Sequence, residues 1–154
     1  MIRELTAADV ADAASLLVRS WARSYADIVP YDEHPDADGQ ADHLRTPGAA
    51  GWVFEQDGQI AAVALVLDVD SADPELSVLH VDPPAQGSGV GGLLHDAVLD
   101  ALRATGAGRC HLFVFSANEQ ARAFYAERGW TEADRGETPE RCGSADTIRL
   151  ERVL

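Results

Sequence analysis

The stretch "VDPPAQGSGVGGLL", Val81 to Leu94, constrains the fold more than any other part of the chain. An apolar strand pattern, "ELSVLHV", runs into it from Glu75. A helical pattern leaves it, with Leu93, Leu94, Ala97, Val98, Ala101 and Leu102 forming one apolar stripe. Gly106 and Gly108 stop that helix, and "RCHLFVF" at 109–115 reads as a buried central strand. Strand, helix and strand in this order make a βαβ unit, whose two strands are expected to be parallel neighbours. Four glycines fall within residues 87–92, between the first strand and the helix. A plain turn does not call for so many, since each costs about 0.5–1 kcal/mol relative to alanine inside a helix. Consecutive main-chain N–H groups entering a helix form a concavity that suits an anion, and without Cβ atoms a diphosphate can come close.

Gly87, Gly89 and Gly92 also fit G-x-G-x-x-G, which raises a dinucleotide site. Two features oppose it. Asp82 to Gln86 separate the strand from the glycines, and "RCHLFVFSAN" has no acid at its end for a ribose. There is no G-x-x-x-x-G-K-[ST] either, because all 12 basic residues are arginine.

The rest of the chain supplies a sheet around the βαβ unit. "MIREL" is a short strand. Thr6 and Asp9 form a capping box for a helix carrying Val10, Ala13, Ala14, Leu17 and Trp21. Residues 31–51 are polar, the least ordered part by composition, with room for a short helix around 39–45. His34, Asp36, Asp38, Asp42 and His43 lie there and read as a solvated acidic loop rather than a metal site. Asp57-Gly58 joins two apolar runs as a hairpin. Asn118 caps a short helix with Ala121, Phe124 and Tyr125 inward, and "WTEADRGE" and "TIRLERVL" alternate as two last strands. The expected order is β-α-α-β-β-β-α-β-α-β-β: one α/β domain over 1–154, with a mixed sheet of about seven strands and helices on both faces.

The net charge of −14 argues against nucleic acid as a partner and would attract cations. No apolar run is long enough to span a membrane, and the first residues lack a basic-then-apolar leader, so the expectation is a cytoplasmic protein. Cys110 and Cys142 are far apart, without C-x-x-C partners, and read as free thiols with no zinc site.

The glycine segment resembles the acyl-CoA-binding motif of the GNAT N-acetyltransferase superfamily: a strand ending V-x-P, then [QR]-x-x-G-x-[GA], here Gln86-Gly87-Ser88-Gly89-Val90-Gly91. Downstream, "NEQARAFYAERGW" is similar to the family's second motif in Asn118, Ala121, Phe124, Tyr125, Gly129 and Trp130. The element order matches across nearly the whole chain, most weakly at 22–50. The resemblance implies an acyltransferase using acetyl-CoA and no metal. It assigns the pyrophosphate to the amides of residues 86–91, and main-chain pairing with the pantetheine arm to Leu79, His80 and Val81. Asn118 is implied as a pantetheine contact, and Tyr125 as the group that reaches the sulfur. In this family the strand is often bulged and splays from its neighbour to leave a slot.

Acetyl transfer to an amine needs a neutral nucleophile, an oxyanion donor and a proton for the departing thiolate. An aliphatic amine is uncharged only about 0.1% of the time at neutral pH, so a base or water relay helps. Tyr125 suits the acid role, with Glu75 as the base candidate and His80 or water as competitors. In a regular strand Glu75 and His80 face opposite ways, so a bulge is needed for both to see the slot. The acceptor side is acidic, with Asp27, Asp32, Glu33, Asp36 and Asp38 on one flank and Glu132, Asp134 and Glu137 on the other, which points to a cationic amine. A homodimer is common in the family, though no long apolar stripe demands one. A non-catalytic acyl-CoA sensor and a nucleotide-binding module are the alternative readings.

Overall fold

A computed structural model describes residues 1–133 and 139–154. The strands are β1 (Ile2–Glu4), β2 (Ala50–Gln56), β3 (Gln59–Leu67), β4 (Glu75–Val81), β5 (Arg109–Phe115), β6 (Thr131–Glu132) and β7 (Thr147–Val153). The helices are α1 (Val10–Ser24), α2 (Ala37–Leu44), α3 (Val90–Ala104) and α4 (Glu119–Glu127). The seven strands form one sheet in the order β1-β2-β3-β4-β5-β7-β6. All neighbours are antiparallel except β4 and β5.

Alternation along β3 sorts the core into two layers. Val63 and Leu65 pack with Val10, Ala13, Leu17 and Leu44 from α1 and α2. Ala62, Ala64 and Val66 pack with Leu94, Val98 and Leu102 of α3, and with Leu112, Trp130 and Leu150 beyond. The sheet is therefore covered on both faces, as the period-2 and period-3.6 patterns require. Turn chemistry also follows the sequence. Asp57 and Gly58 both have positive φ between β2 and β3, and the Thr6–Asp9 capping box forms, with Thr6 N–H donating to Asp9 Oδ2 at 2.8 Å. Arg3 also grips both Asp9 oxygens, and this holds the Asp9 carboxyl well below the usual carboxylate range.

The segment read as least ordered contains α2, which starts earlier than expected because the Asp36 side chain accepts from Gly39 N–H at 2.8 Å. Within "WTEADRGE", Thr131–Glu132 form a strand, and residues 134–138 lie outside the described residues. A single 3-10 turn, Glu140–Cys142, precedes β7.

Two irregularities shape the centre of the sheet. Leu65 pairs with Val78, but Val66 pairs with Leu76, so Ser77 is an extra residue in β4. Parity flips there: Leu76 joins the α3 layer, while Val78 joins the α1 layer. Secondly, β4 and β5 pair at one position alone, Glu75 with His111. Beyond it the two strands diverge towards their C-terminal ends. Asp73 reinforces the junction, accepting from His111 Nδ1 at 2.9 Å and from Arg149 at 3.0 Å.

Candidate functional site

The opening between β4 and β5 gathers nearly all the residues singled out above. Asp82 N–H donates to Ala61 on β3 at 2.8 Å. By strand alternation, the N–H and C=O groups of Leu79 and Val81 then point away from β3, into the opening. Gln86 confirms the direction for Val81, because its Nε2 donates to the Val81 carbonyl at 3.1 Å. His80 sits between them with its side chain on the α1 face.

The glycine loop follows β4 at its open end. A 3-10 turn over Pro83–Ala85 leads to Gly87 and Gly89, with φ of +80° and +88°. A Cβ at either would meet nothing within 4 Å, so these glycines are required by backbone twist while the space outside them stays open. Gly91 answers a different need: a Cβ there would lie 3.2 Å from Val81, so α3 packs close on β4. Gly89 is the N-cap of α3, so the amides of Val90, Gly91 and Gly92 lack intrahelical acceptors and give the helix its positive end. Ser88 is turned inward, with its hydroxyl donating to the Ala85 carbonyl.

Asn118 caps α4 as expected, its Oδ1 accepting from Ala121 N–H at 3.1 Å, which leaves the amide NH2 as the end free to donate elsewhere. Tyr125 packs against the α3 layer beside Phe124 and Trp130, with ring centroids 5.1 and 5.6 Å away. Burial pushes its phenol far above the ordinary value, so it stays protonated.

The bulge at Ser77 settles a geometric question. Glu75, one residue before Leu76, and His80, two residues after Val78, share the α1 face. Their surroundings differ. The Glu75 carboxylate, 12% exposed, is ion-paired with Arg141, and His111 Nε2 stands 3.9 Å away. His80 is neutral: burial pushes its imidazole down to about 4. Its Nδ1 is 2.7 Å from Ser20 Oγ and its Nε2 3.3 Å from Tyr25 Oη.

Several groups here were missed by sequence reading. Tyr25 follows α1 and stacks edge-on against His80 and Phe115, with centroids 5.6 and 4.8 Å away. Burial, then the neighbouring Tyr125 and Cys142, drive its phenol far up. Tyr125 packs with the α3 layer, whereas Tyr25 packs against His80 on the other face of the sheet. Arg141 and Cys142 come from the turn before β7, and neither they nor Tyr25 sit in a motif. The one available clue was aromatic content at the end of α1, in "WARSY".

The acidic flanks are less free than composition implied. Glu33 accepts from Ser144 N–H at 2.7 Å and from its hydroxyl at 2.9 Å, clasping the α1–α2 connection to the β6–β7 connection. Asp36 is spent on capping, and Glu132 pairs with Arg122 at 3.2 Å. Asp134 and Glu137 lie outside the described residues. Of the histidines raised as metal-like, His34 bonds the Val29 carbonyl and His43 the Ser77 hydroxyl, at 3.0 and 2.7 Å. Among the described residues no helix is long and apolar enough to cross a membrane.

Comparison with known proteins agrees with this geometry. Residues 14–130 match the acetyltransferase (GNAT) family model. The chain belongs to that family. A mycothiol acetyltransferase of Beutenbergia cavernae is 46% identical over 82 residues, covering 52% of this chain and 28% of that protein. An uncharacterized N-acetyltransferase of Mycobacterium bovis is 34% identical over 90 residues, 58% of each chain. The matched parts thus span less than two thirds of these relatives, 28% of one and 58% of the other. The structure of the ribosomal-protein-S18-alanine N-acetyltransferase from Escherichia coli superposes with a TM-score of 0.79 at 25% identity, covering 98% of this chain and 91% of that one. The fold is also that of the paia N-acetyltransferase from Thermoplasma acidophilum in complex with coenzyme A, with a TM-score of 0.81 at 17% identity over 100% and 98% of the two chains.

Proposed function

We propose that the protein transfers an acetyl group from acetyl-CoA to a primary amine by direct attack in a ternary complex. The observation that carries this reading is the opening between β4 and β5, with Leu79 and Val81 main-chain groups facing into it, the glycine loop at its mouth and Tyr125 beside it. The loop amides of 86–91 hold the pyrophosphate, while Leu79, His80, Val81 and Asn118 form the pantetheine track. An extended pantetheine then adds to β4 as the strand β5 does not. Family membership favours this enzyme over a sensor or a nucleotide-binding module.

The step balances with groups present. The neutral amine attacks the thioester carbonyl, and the C–S bond breaks as the C–N bond forms. Tyr125, kept protonated by burial, gives its phenolic proton to the departing thiolate. The proton shed by the new ammonium passes to water or to Glu75, and the phenolate is reprotonated in turn. His80 suits the base role poorly, since its lowered pKa makes it a weak proton acceptor. Glu75 is engaged by Arg141, so it reaches the acceptor through an intervening water. The net charge of −14 favours a cationic acceptor.

The test is acetyl-CoA turnover by the wild type beside Tyr125→Phe, with coenzyme A binding measured on both by calorimetry. Coenzyme A binding by both with turnover reduced in the variant supports the reading. A wild type that binds no coenzyme A overturns it.

A further inference from the structure

Ser20, His80 and Tyr25 form a short hydrogen-bonded chain running from the interior of α1 to the opening between β4 and β5. Ser20 is 1% exposed, and among the described residues its hydroxyl has one partner, His80 Nδ1 at 2.7 Å. A buried hydroxyl hydrogen left without an acceptor costs about 1–3 kcal/mol. Ser20 therefore donates to Nδ1. A neutral imidazole carries a single N–H, so the proton sits on Nε2 and is donated to the Tyr25 oxygen, 3.3 Å away. With that oxygen already accepting, and no acceptor for its own hydrogen among the described residues, the Tyr25 O–H is turned towards the opening. With Ser20 the more buried of the two hydroxyls, this tautomer is the favoured one, and in it Tyr25 is a donor.

Tyr25 meets His80 on the α1 face of the sheet, whereas Tyr125 packs with α3 on the other. If the thioester lies on the Tyr125 side, the acceptor amine enters from the Tyr25 side. A donor there would engage an oxygen on the incoming molecule; hydrogen-bonded to the amine lone pair, it would oppose attack.

We infer that Tyr25, aimed by His80 and Ser20, selects acceptors that carry a carbonyl oxygen next to the amine, such as an α-aminoacyl group, over plain alkylamines. This rests on the acetyl-transfer reading above and adds the acceptor class to it. Tyr25 is then a specificity-determining residue, and His80 and Ser20 are positioning residues.

The experiment compares alaninamide with 2-aminopropane, which share a skeleton but differ in the carboxamide, as ratios of kcat/KM. Comparing that ratio between proteins cancels the difference in amine basicity. Tyr25→Phe is expected to lower the alaninamide preference by about three- to ten-fold, mainly through KM, as befits one neutral hydrogen bond. Ser20→Ala, which touches neither ligand, is expected to shift the ratio in the same direction. A ratio unchanged in Tyr25→Phe, or a parallel loss on both amines through kcat, overturns the inference while leaving acetyl transfer intact. An unchanged ratio in Ser20→Ala overturns the aiming role. A wild type that binds coenzyme A but acetylates neither amine overturns the inferred acceptor class, whereas one that binds no coenzyme A overturns the acetyl-transfer reading itself.

Discussion

At the level of single residues, Tyr125 and Gly89 carry separable predictions. Tyr125→Phe keeps the ring packing and removes the O–H, so kcat should fall by about 100-fold while coenzyme A affinity holds, as calorimetry and steady-state rates would show. Gly89→Ala forces a Cβ into a backbone at φ +88°, costing about 1–2 kcal/mol in urea denaturation and weakening coenzyme A binding. His80 predicts a pH effect. Its folded pKa lies near 4 against an unfolded value near 6.5, so between these values the unfolded chain binds more protons and stability drops as pH falls. The loss from His80 should be about 1–3 kcal/mol between pH 7 and pH 4, and half-buried His43 and buried His95 shift the same way. Denaturation midpoints of wild type and His80→Gln across that range check it: a wild type whose midpoint is flat contradicts the assignment. The loop was legible in the sequence because its glycines are set by local backbone geometry, and Tyr125 because it stands in the segment that resembles the family's second motif. Tyr25, Arg141 and Cys142 were not, since only the packing of α1 and of the turn before β7 brings them to the opening.

At the level of elements, the bulge in β4 has the sharpest consequence. Alternation from Glu75 to Val81 placed the strand correctly, but no residue type marks Ser77 as extra. Deleting Ser77 would restore regular alternation and move either the Glu75 charge or an apolar partner to the wrong face. The expected cost is at least about 3 kcal/mol, read by chemical denaturation. A deletion variant of wild-type stability would show that the bulge is dispensable. The boundaries of α3 and β5 were readable because glycines bracket the helix and the strand is apolar throughout. The polar stretch containing α2 was harder: its helix rests on one Asp36 cap and three buried residues, Gln40, Ala41 and Leu44, too few to give a periodic pattern.

For the whole molecule, the charge of −14 predicts a salt dependence. The KM of a dicationic amine should rise between low and physiological ionic strength, while that of alaninamide changes less. Equal salt responses would remove bulk electrostatics from acceptor capture. The single register pair between β4 and β5 bears on mechanics as well as chemistry. The sheet has two antiparallel halves, β1-β2-β3-β4 and β5-β7-β6, sewn together by one stitch and by the Asp73 contacts with His111 and Arg149. Amide hydrogen exchange should be fastest along that seam. A ligand lying between the halves would act as a rivet, raising the melting temperature of the domain and slowing exchange in both at once.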